Sequence, residues 1–441
     1  MISYTMSIAF KNIFRDLRRT FTLGVNYFFV AFLLFLVFAV TEGAKKNITE
    51  NLIASSAGHV TISGEYIVKG RTYQGISGYQ RIVETTTRAA AGTRMLVRYA
   101  LSSAVYHKNL SKRLSFTGID VTNDRTLQDQ IRVVEGSWTD FTGQPNAVVI
   151  PKAVAQYFSL ANGDEVLIAT RTRRGAFNTA TMQVRAMYTT GNYFLREQVI
   201  SHFDFLRALD LADSSTAGRI FLFFDNPRKS GEIRDRLMQS LSAEGFTAVK
   251  PQSSSDALNA VSAASPRYKV EDTGLNQVRL TLATADEVTG VVSQAVGAIN
   301  GLGLLVAGIM LFIISISIFI NMRMAIAERM KEIGTLRAIG AYRGDIIALF
   351  LFEYLLLSVV FVSLGIVSGF ITAVVFSNLV AMPSEGVFGL LVNNGRLVLK
   401  PTVASTALIA VALPVFTALF SYFPARRGGR VSAVDALNVS T

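Results

Sequence analysis

The chain has 441 residues, half of them apolar and only 17% charged, with no cysteine and a formal net charge of +12. Soluble globular chains carry about 25% charged residues, so the composition points to a membrane, while the length leaves room for two or three units. The missing cysteines exclude a disulfide scaffold, an iron–sulfur cluster and a thiol nucleophile, and the basic balance would suit nucleic acid unless the charge has another address.

Residues 7–19, SIAFKNIFRDLRR, set Ile8, Phe10, Ile13, Phe14 and Leu17 largely on one side of a helix, with basic residues over the rest. That suits either a helix in the membrane interface or a plain extension of the span that follows. Residues 21–40, FTLGVNYFFVAFLLFLVFAV, carry no charge and are long enough for a hydrocarbon core of about 30 Å. The stretch exceeds the roughly 7–15 residues of a signal-peptide core and reads as an uncleaved anchor.

From residue 42 to about 295 the composition is ordinary, and the β-branched and aromatic runs predict strands at 59–67, 95–106, 147–150, 166–171, 181–188 and 220–224. Short helices are expected at 152–160 and 231–243. Asn162-Gly163-Asp164 is a turn sequence, which makes Asp164 a turn residue rather than an acid catalyst. His59, His107 and His202 are widely spaced and lack Cys or HExxH partners, and no GxSxG elbow occurs. No catalytic, cofactor-binding or metal-binding residue is assigned. Residues 250–272, rich in small polar residues, read as a loop or flap, and 273–300 as a helical stem leading into the second span.

Residues 301–320 form that uncharged second span, with Gly301, Gly303 and Gly308 placed to allow close helix packing. The third apolar stretch, 346–377, carries Glu353 near its start and a Gly365/Gly369 GxxxG pair, which suits a helix interface. Glu353 is costly in a span and must either pair, line a cavity or snorkel. The fourth stretch, 401–423, holds Pro414, a kink site. The predicted fold class is an α-helical membrane protein with four transmembrane helices plus a large mixed α/β extracytoplasmic domain between the first and second. Its segments are an N-terminal helix (1–20), span one (21–41), the large domain with its stem (42–295), span two (296–322) and a coupling segment (323–345). Span three (346–380), a loop (381–400), span four (401–423) and a tail (424–441) follow.

Basic residues near span ends set orientation. Lys11, Arg15, Arg18 and Arg19 outnumber Asp16 before the first span. Arg323, Arg329, Lys331, Arg337 and Arg343 outnumber Glu328, Glu332 and Asp345 between the second and third, and Arg426, Arg427 and Arg430 outnumber Asp435 in the tail. All three fall on one side, the cytoplasm, with both termini there. These edges hold more than half of the net positive charge, so no nucleic-acid partner is expected.

In 323–345, Gly334 and Gly340 read as bends, since Gly costs about 1 kcal/mol inside a helix. Ile333, Leu336 and Ile339 form an apolar edge flanked by Glu332 and Arg337, fit either for a partner's groove or for lipid headgroups. The sequence ERMKEIGTLRAIGAYRGDI resembles the signature of the FtsX-like permease family, the membrane subunits of type VII ABC transporters. FLFEYLLLSVVFVSLGIVSGF, the tail FPARRGGRVSAVDALN and the opening AFKNIFRDLRRTFTL resemble that family's third span, ending and first helix. The tail departs from it at Gly428, Gly429 and Ser432. GQPNAVVIPKAVAQYFSLANGDEVLI is similar to the porter-like region of MacB- and LolC-type members.

The resemblance implies a non-catalytic subunit in the inner (cytoplasmic) membrane, its large domain periplasmic or extracellular. ATP and Mg would bind a separate cytoplasmic ABC ATPase; no Walker A sequence occurs here, and no cofactor is expected in this chain. It further implies a second permease subunit, identical or paralogous, and a periplasmic carrier or adaptor. Arg329, Glu332, Ile333, Gly334, Leu336, Arg337, Ala338, Ile339 and Gly340 would form the ATPase-coupling helix. Glu353, Gly365 and Gly369 would serve helix packing or a cavity. Motion passed through the second span would release a lipoprotein from the membrane; the alternatives are efflux with a periplasmic adaptor and activation of an extracytoplasmic hydrolase.

Overall fold

A computed structural model describes residues 17–68, 71–90, 92–173, 175–261, 268–269, 278–379, 392–393, 396–397 and 399–429. The expectations for residues 1–16, for most of the 381–400 loop and for the tail beyond 429 lie outside the described residues. The chain divides into two compact units, one of Met1–Lys45, Val296–Met382 and Arg396–Thr441, the other of Lys46–Ala295 and Pro383–Gly395.

The first unit is helical: α1 (Leu17–Leu52), α2 (Gly290–Glu328), the short α3 (Met330–Ala338), α4 (Arg343–Leu379) and α5 (Val403–Gly428). Four of these helices are long and apolar enough to cross a membrane. Their apolar residues run all the way round, as lipid-facing helices require, but small and aromatic residues at helical spacing select the packed face. Leu23, Tyr27, Ala31, Phe35 and Ala39 of α1 meet Ile314, Ile318 and Met322 of α2 and Phe350, Tyr354 and Leu357 of α4 in one core. On α2 the opposite face, with Leu305, Ile309, Phe312 and Ile316, stays exposed. Pro414 lies inside α5, and so does Pro424.

The glycines sort by what stands beside them. A Cβ on Gly365 would lie 2.6 Å from the Phe28 carbonyl oxygen and 2.9 Å from Ala31 Cβ, and one on Gly369 2.7 Å from the Phe35 ring. The GxxxG pair therefore seats α1 within the same chain. Gly303 lies against Val37 of α1, with 2.8 Å for a Cβ, but Gly301 and Gly308 face open space, contrary to the packing role expected of them. We expect Gly365→Leu to force α1 and α4 apart, costing about 1–3 kcal/mol or more and lowering the melting midpoint of the detergent-solubilised chain. Gly301→Leu should leave the midpoint in place; equal effects would reject the seam.

In the second unit thirteen described strands form one mixed sheet. The principal strands are β1 (Val60–Val68), β2 (Arg94–His107), β3 (Leu110–Ile119), β4 (Arg132–Gly136), β5 (Ala147–Pro151), β6 (Glu165–Arg171), β7 (Phe177–Thr189), β8 (Gln198–His202), β9 (Arg219–Phe223), β10 (Thr247–Val249) and β11 (Arg279–Thr284). Their order is β10-β11-β1-β9-β2-β3-β8-β5-β7-β4, with β6 bridging β2 and β7. Alternation decides the faces: Tyr99, Leu101 and Val105 of β2 enter the main core with Phe116 of β3 and Ile220 of β9, against the helix Ser230–Ala243. Ile119, Phe141, Val149, Tyr188 and Ile200 form a smaller second core.

The helices Lys152–Phe158 and Ser230–Ala243 stand where the sequence places them. Gly163 has φ +96° in its turn, and the Asp164 carboxylate accepts from the Ala161 N–H at 2.8 Å, a turn role. The expected stem is not helical throughout: β11 occupies 279–284, and residues 273–277 lie outside the described residues. Leu280 and Leu282 are buried while Arg279 and Thr281 are half-buried, a period of two on a strand that pairs with β1 and β10 and overrides the helical reading. The expected flap contains a helix, Ser254–Val261.

Candidate functional site

The segment between α2 and α4 holds strongly exposed apolar groups beside a buried ion pair of the helical unit. Arg329 breaks the helical path between α2 and α3: its N–H still bonds the Ala325 carbonyl at 3.2 Å, and its own carbonyl accepts from Ile333 at 2.9 Å. Its guanidinium turns inward and donates to Glu353 of α4 at 2.9 Å, with side-chain exposures of 8% and 4%. Of the roles open to Glu353, it takes that of ion-pair partner. Two buried charges are tolerated only when paired and hydrogen-bonded, so the contact ties the start of α3 to the first half of α4.

The apolar edge is divided. Ile333 is buried and Leu336 packs on the helical core, whereas Ile339 is 86% exposed. At 3.6 residues per turn, i and i+6 differ by about 120°, and α3 has already ended at Ala338, so Ile339 leaves the face that Ile333 and Leu336 share. Gly334 is no bend; it is buried inside α3. Gly340 is one, at φ +103°. Its N–H bonds the Arg337 carbonyl at 3.1 Å and the Ala341 N–H bonds the Leu336 carbonyl at 3.0 Å, the Schellman geometry that glycine favours. Asp345 accepts from the Tyr342 N–H at 2.9 Å and caps α4.

Glu332, Ala338, Ile339 and Gly340 are thus exposed, and Arg337 is half-buried. Tyr342, which the sequence reading did not single out, joins them at 73% exposure. Its signal was available: an aromatic residue in a short turn whose apolar neighbours have no helix left to bury them. The sequence also flagged both Arg329 and Glu353 without joining them. Gly365 and Gly369, placed against α1, stand in the helical core.

The large domain offers no comparable chemistry. Among the described residues no group of His, Cys, Asp and Glu could hold a metal ion. His59 Nδ1 accepts from the Phe224 N–H at 2.8 Å, and partial burial pulls that imidazole below its ordinary pKa. His202 Nε2 lies 2.8 Å from the Phe141 carbonyl and His107 Nδ1 3.0 Å from that of Glu165. Buried charges in the domain include Arg98 with Asp124, Arg173 with Asp210, and Arg234, which pairs with Asp235 and Glu287.

Residues 304–432 match the family described as FtsX-like permease C-terminal. The macrolide export ATP-binding/permease protein MacB of Rhodopirellula baltica is 32% identical over 173 residues, 39% of this chain and 22% of that protein. MacB of Bordetella avium is 32% identical over 152 residues, 34% and 21% of the two chains. An uncharacterised ABC transporter permease of Methanocaldococcus jannaschii is 29% identical over 159 residues, 36% and 37%. The chain spans about a fifth of the length of the MacB relatives it matches. Among solved structures, the periplasmic region of MacB from Actinobacillus actinomycetemcomitans aligns with a TM-score of 0.33 at 12% identity, covering 56% of this chain and 97% of that one. The extracellular domain of the noncanonic ABC-type transporter YknZ from Gram-positive bacteria gives 0.30 at 10%, covering 42% and 94%.

Proposed function

Because the chain carries an FtsX-like permease domain and is homologous to MacB, we propose that it is the membrane subunit of an ABC transporter and takes its motion from an ATPase. The observation that carries this reading is the α3 segment: Ile339 and Tyr342 stand exposed just past the end of a short helix that bears Glu332 and Arg337 and is pinned to α4 by Arg329–Glu353. An apolar anchor rimmed by charge is the surface a groove in a partner accepts. Closure of two ATPase copies in the cytoplasm would push α3, and the ion pair would pass the displacement to α4 while α2 carries it towards the large domain. Such a switch is a rigid-body movement. Two permease subunits would act together, with the large domain outside the cytoplasmic membrane. Efflux, the work for which the MacB relatives are named, is the task proposed here, with lipoprotein release and hydrolase activation as the alternatives.

The test is co-purification of the ATPase with the full-length chain from mild detergent. Leu336 packs inward and is a poor probe, so the informative changes are at exposed positions. Ile339→Asp and Tyr342→Asp should each reduce ATPase recovery at least about tenfold, the loss expected when an anchor worth more than 1.4 kcal/mol is removed. Membrane insertion and the melting midpoint should not change. Full recovery of the ATPase by both variants would overturn the coupling assignment. Cargo identified in the same complex separates efflux from lipoprotein release.

A further inference from the structure

One face of the large domain's sheet is hollowed out. Arg98 and Ala100 of β2, Thr117 of β3, Gln198 of β8 and Arg219 and Phe221 of β9 occupy alternate positions on neighbouring strands and floor a cavity of about 710 Å³. Small side chains make the hollow: Ala100 stands opposite Thr117 in the β2–β3 register, with Ser102 opposite Ser115. Leu52, Phe194 and Leu258 supply apolar walls, and Arg196 stacks on Tyr193 at 5.5 Å along the lining.

The charge on this floor is unusual for a structural surface. Arg98 and Arg219 sit directly opposite each other across β2 and β9, a like-charge pairing that weakens a sheet. Arg98 is committed to Asp124, at 2.6 and 3.2 Å, and to the Ser55 carbonyl at 2.6 Å. Arg219 brings a second cation to the same floor. Desolvation pulls its guanidinium down to about 10, still charged at neutral pH. Gln198 donates through Nε2 to Thr117 Oγ1, while its buried Oε1 accepts from no described residue. A cavity of this size, with apolar walls and a few converging polar groups, fits a drug-sized ligand.

We propose that this cavity binds an anionic amphiphile, its acidic head on Arg219 with Arg196 beside it, an adjacent N–H donated to Gln198 Oε1, and its apolar body against Phe194, Phe221 and Leu258. N-acyl amino acids have this chemistry. The site does not depend on the coupling reading and stands or falls on binding alone.

The experiment uses the full-length chain in phosphatidylcholine nanodiscs and a diazirine-bearing N-palmitoylglycine, with crosslinks mapped by mass spectrometry. Label should reach peptides containing Phe194 or Leu258. Unlabelled N-palmitoylglycine should compete there at least about tenfold better than N-palmitoylethanolamine, which keeps the amide and lacks the carboxylate. Arg219→Gln should erase that preference, and Ala100→Leu, which fills the hollow without touching a charge, should reduce labelling of those peptides. Label confined to the four apolar helices, or equal competition by the acidic and neutral compounds in the parent chain, would overturn the proposal. So would cavity labelling that neither variant alters.

Discussion

Glu353→Ala should lower the stability of the helical unit by about 3–5 kcal/mol, the loss expected when one partner of a buried ion pair is removed and the other stays behind. The orphan in this case is the Arg329 guanidinium, held in the core by the turn between α2 and α3 and 8% exposed. It has two ways to relieve the strain. It can swing out, dragging the start of α3 with it, or remain and draw water into the helix packing. Either response loosens α3 from α4, so under the proposed coupling role recovery of the ATPase should fall in step with the melting midpoint. Glu353→Gln retains an acceptor for one N–H and should lose less. The decisive comparison is the double variant Arg329→Ala/Glu353→Ala: with both charges gone it should be more stable than Glu353→Ala alone, since breaking a pair costs more than deleting it. A double variant as unstable as the summed single changes would show that the two residues act separately.

The four spans were legible because a run of about twenty apolar residues matches the thickness of a hydrocarbon core, and helices of that length and character stand at all four places. Strands with β-branched runs were legible for a related reason: β1, β2, β5, β6, β7 and β9 each announce themselves locally. β11 did not, since Arg-Leu-Thr-Leu-Ala-Thr adjoins a long helical pattern and only its place between β1 and β10 makes it a strand. Glu353 advertised itself by its cost in an apolar stretch, yet nothing local could choose its partner among five nearby basic residues. The choice of Arg329 depends on the break between α2 and α3, a tertiary event. Ile339 was misread because a spacing rule was carried one residue past the end of its helix. The cavity on the large domain was not legible at all, because its floor draws residues from strands as far apart in sequence as Arg98, Gln198 and Arg219.

The second large effect is expected at Asp210, where the large domain joins four distant segments through one buried carboxylate–guanidinium pair. Oδ1 accepts from the Arg173 backbone N–H at 2.9 Å; Oδ2 accepts from Arg173 Nε at 3.2 Å and from the Tyr99 hydroxyl at 2.7 Å. The guanidinium also donates to the hydroxyls of Tyr66 and Tyr99. Burial pushes the Tyr99 hydroxyl well above its ordinary pKa, and it stays a donor. Burial pulls the Arg173 guanidinium down, but Tyr99, Tyr66 and Asp210 more than offset that and hold it above its usual range. Tyr66 belongs to β1 and Tyr99 to β2, while Arg173 follows β6 and Asp210 follows the helix Phe203–Leu209. Asp210→Ala removes the only carboxylate in this set and leaves a buried cation facing two neutral hydroxyls. The expected loss is again about 3–5 kcal/mol, read as a lower urea midpoint for the large domain in the full-length chain. Tyr99→Phe removes hydrogen bonds but no charge, and should cost nearer 1–3 kcal/mol. Because charge rather than shape dominates, Asp210→Asn should fall much closer to alanine than to the parent. An asparagine variant as stable as the parent would show that the hydrogen-bond geometry suffices and that the ion pair adds nothing to the joint.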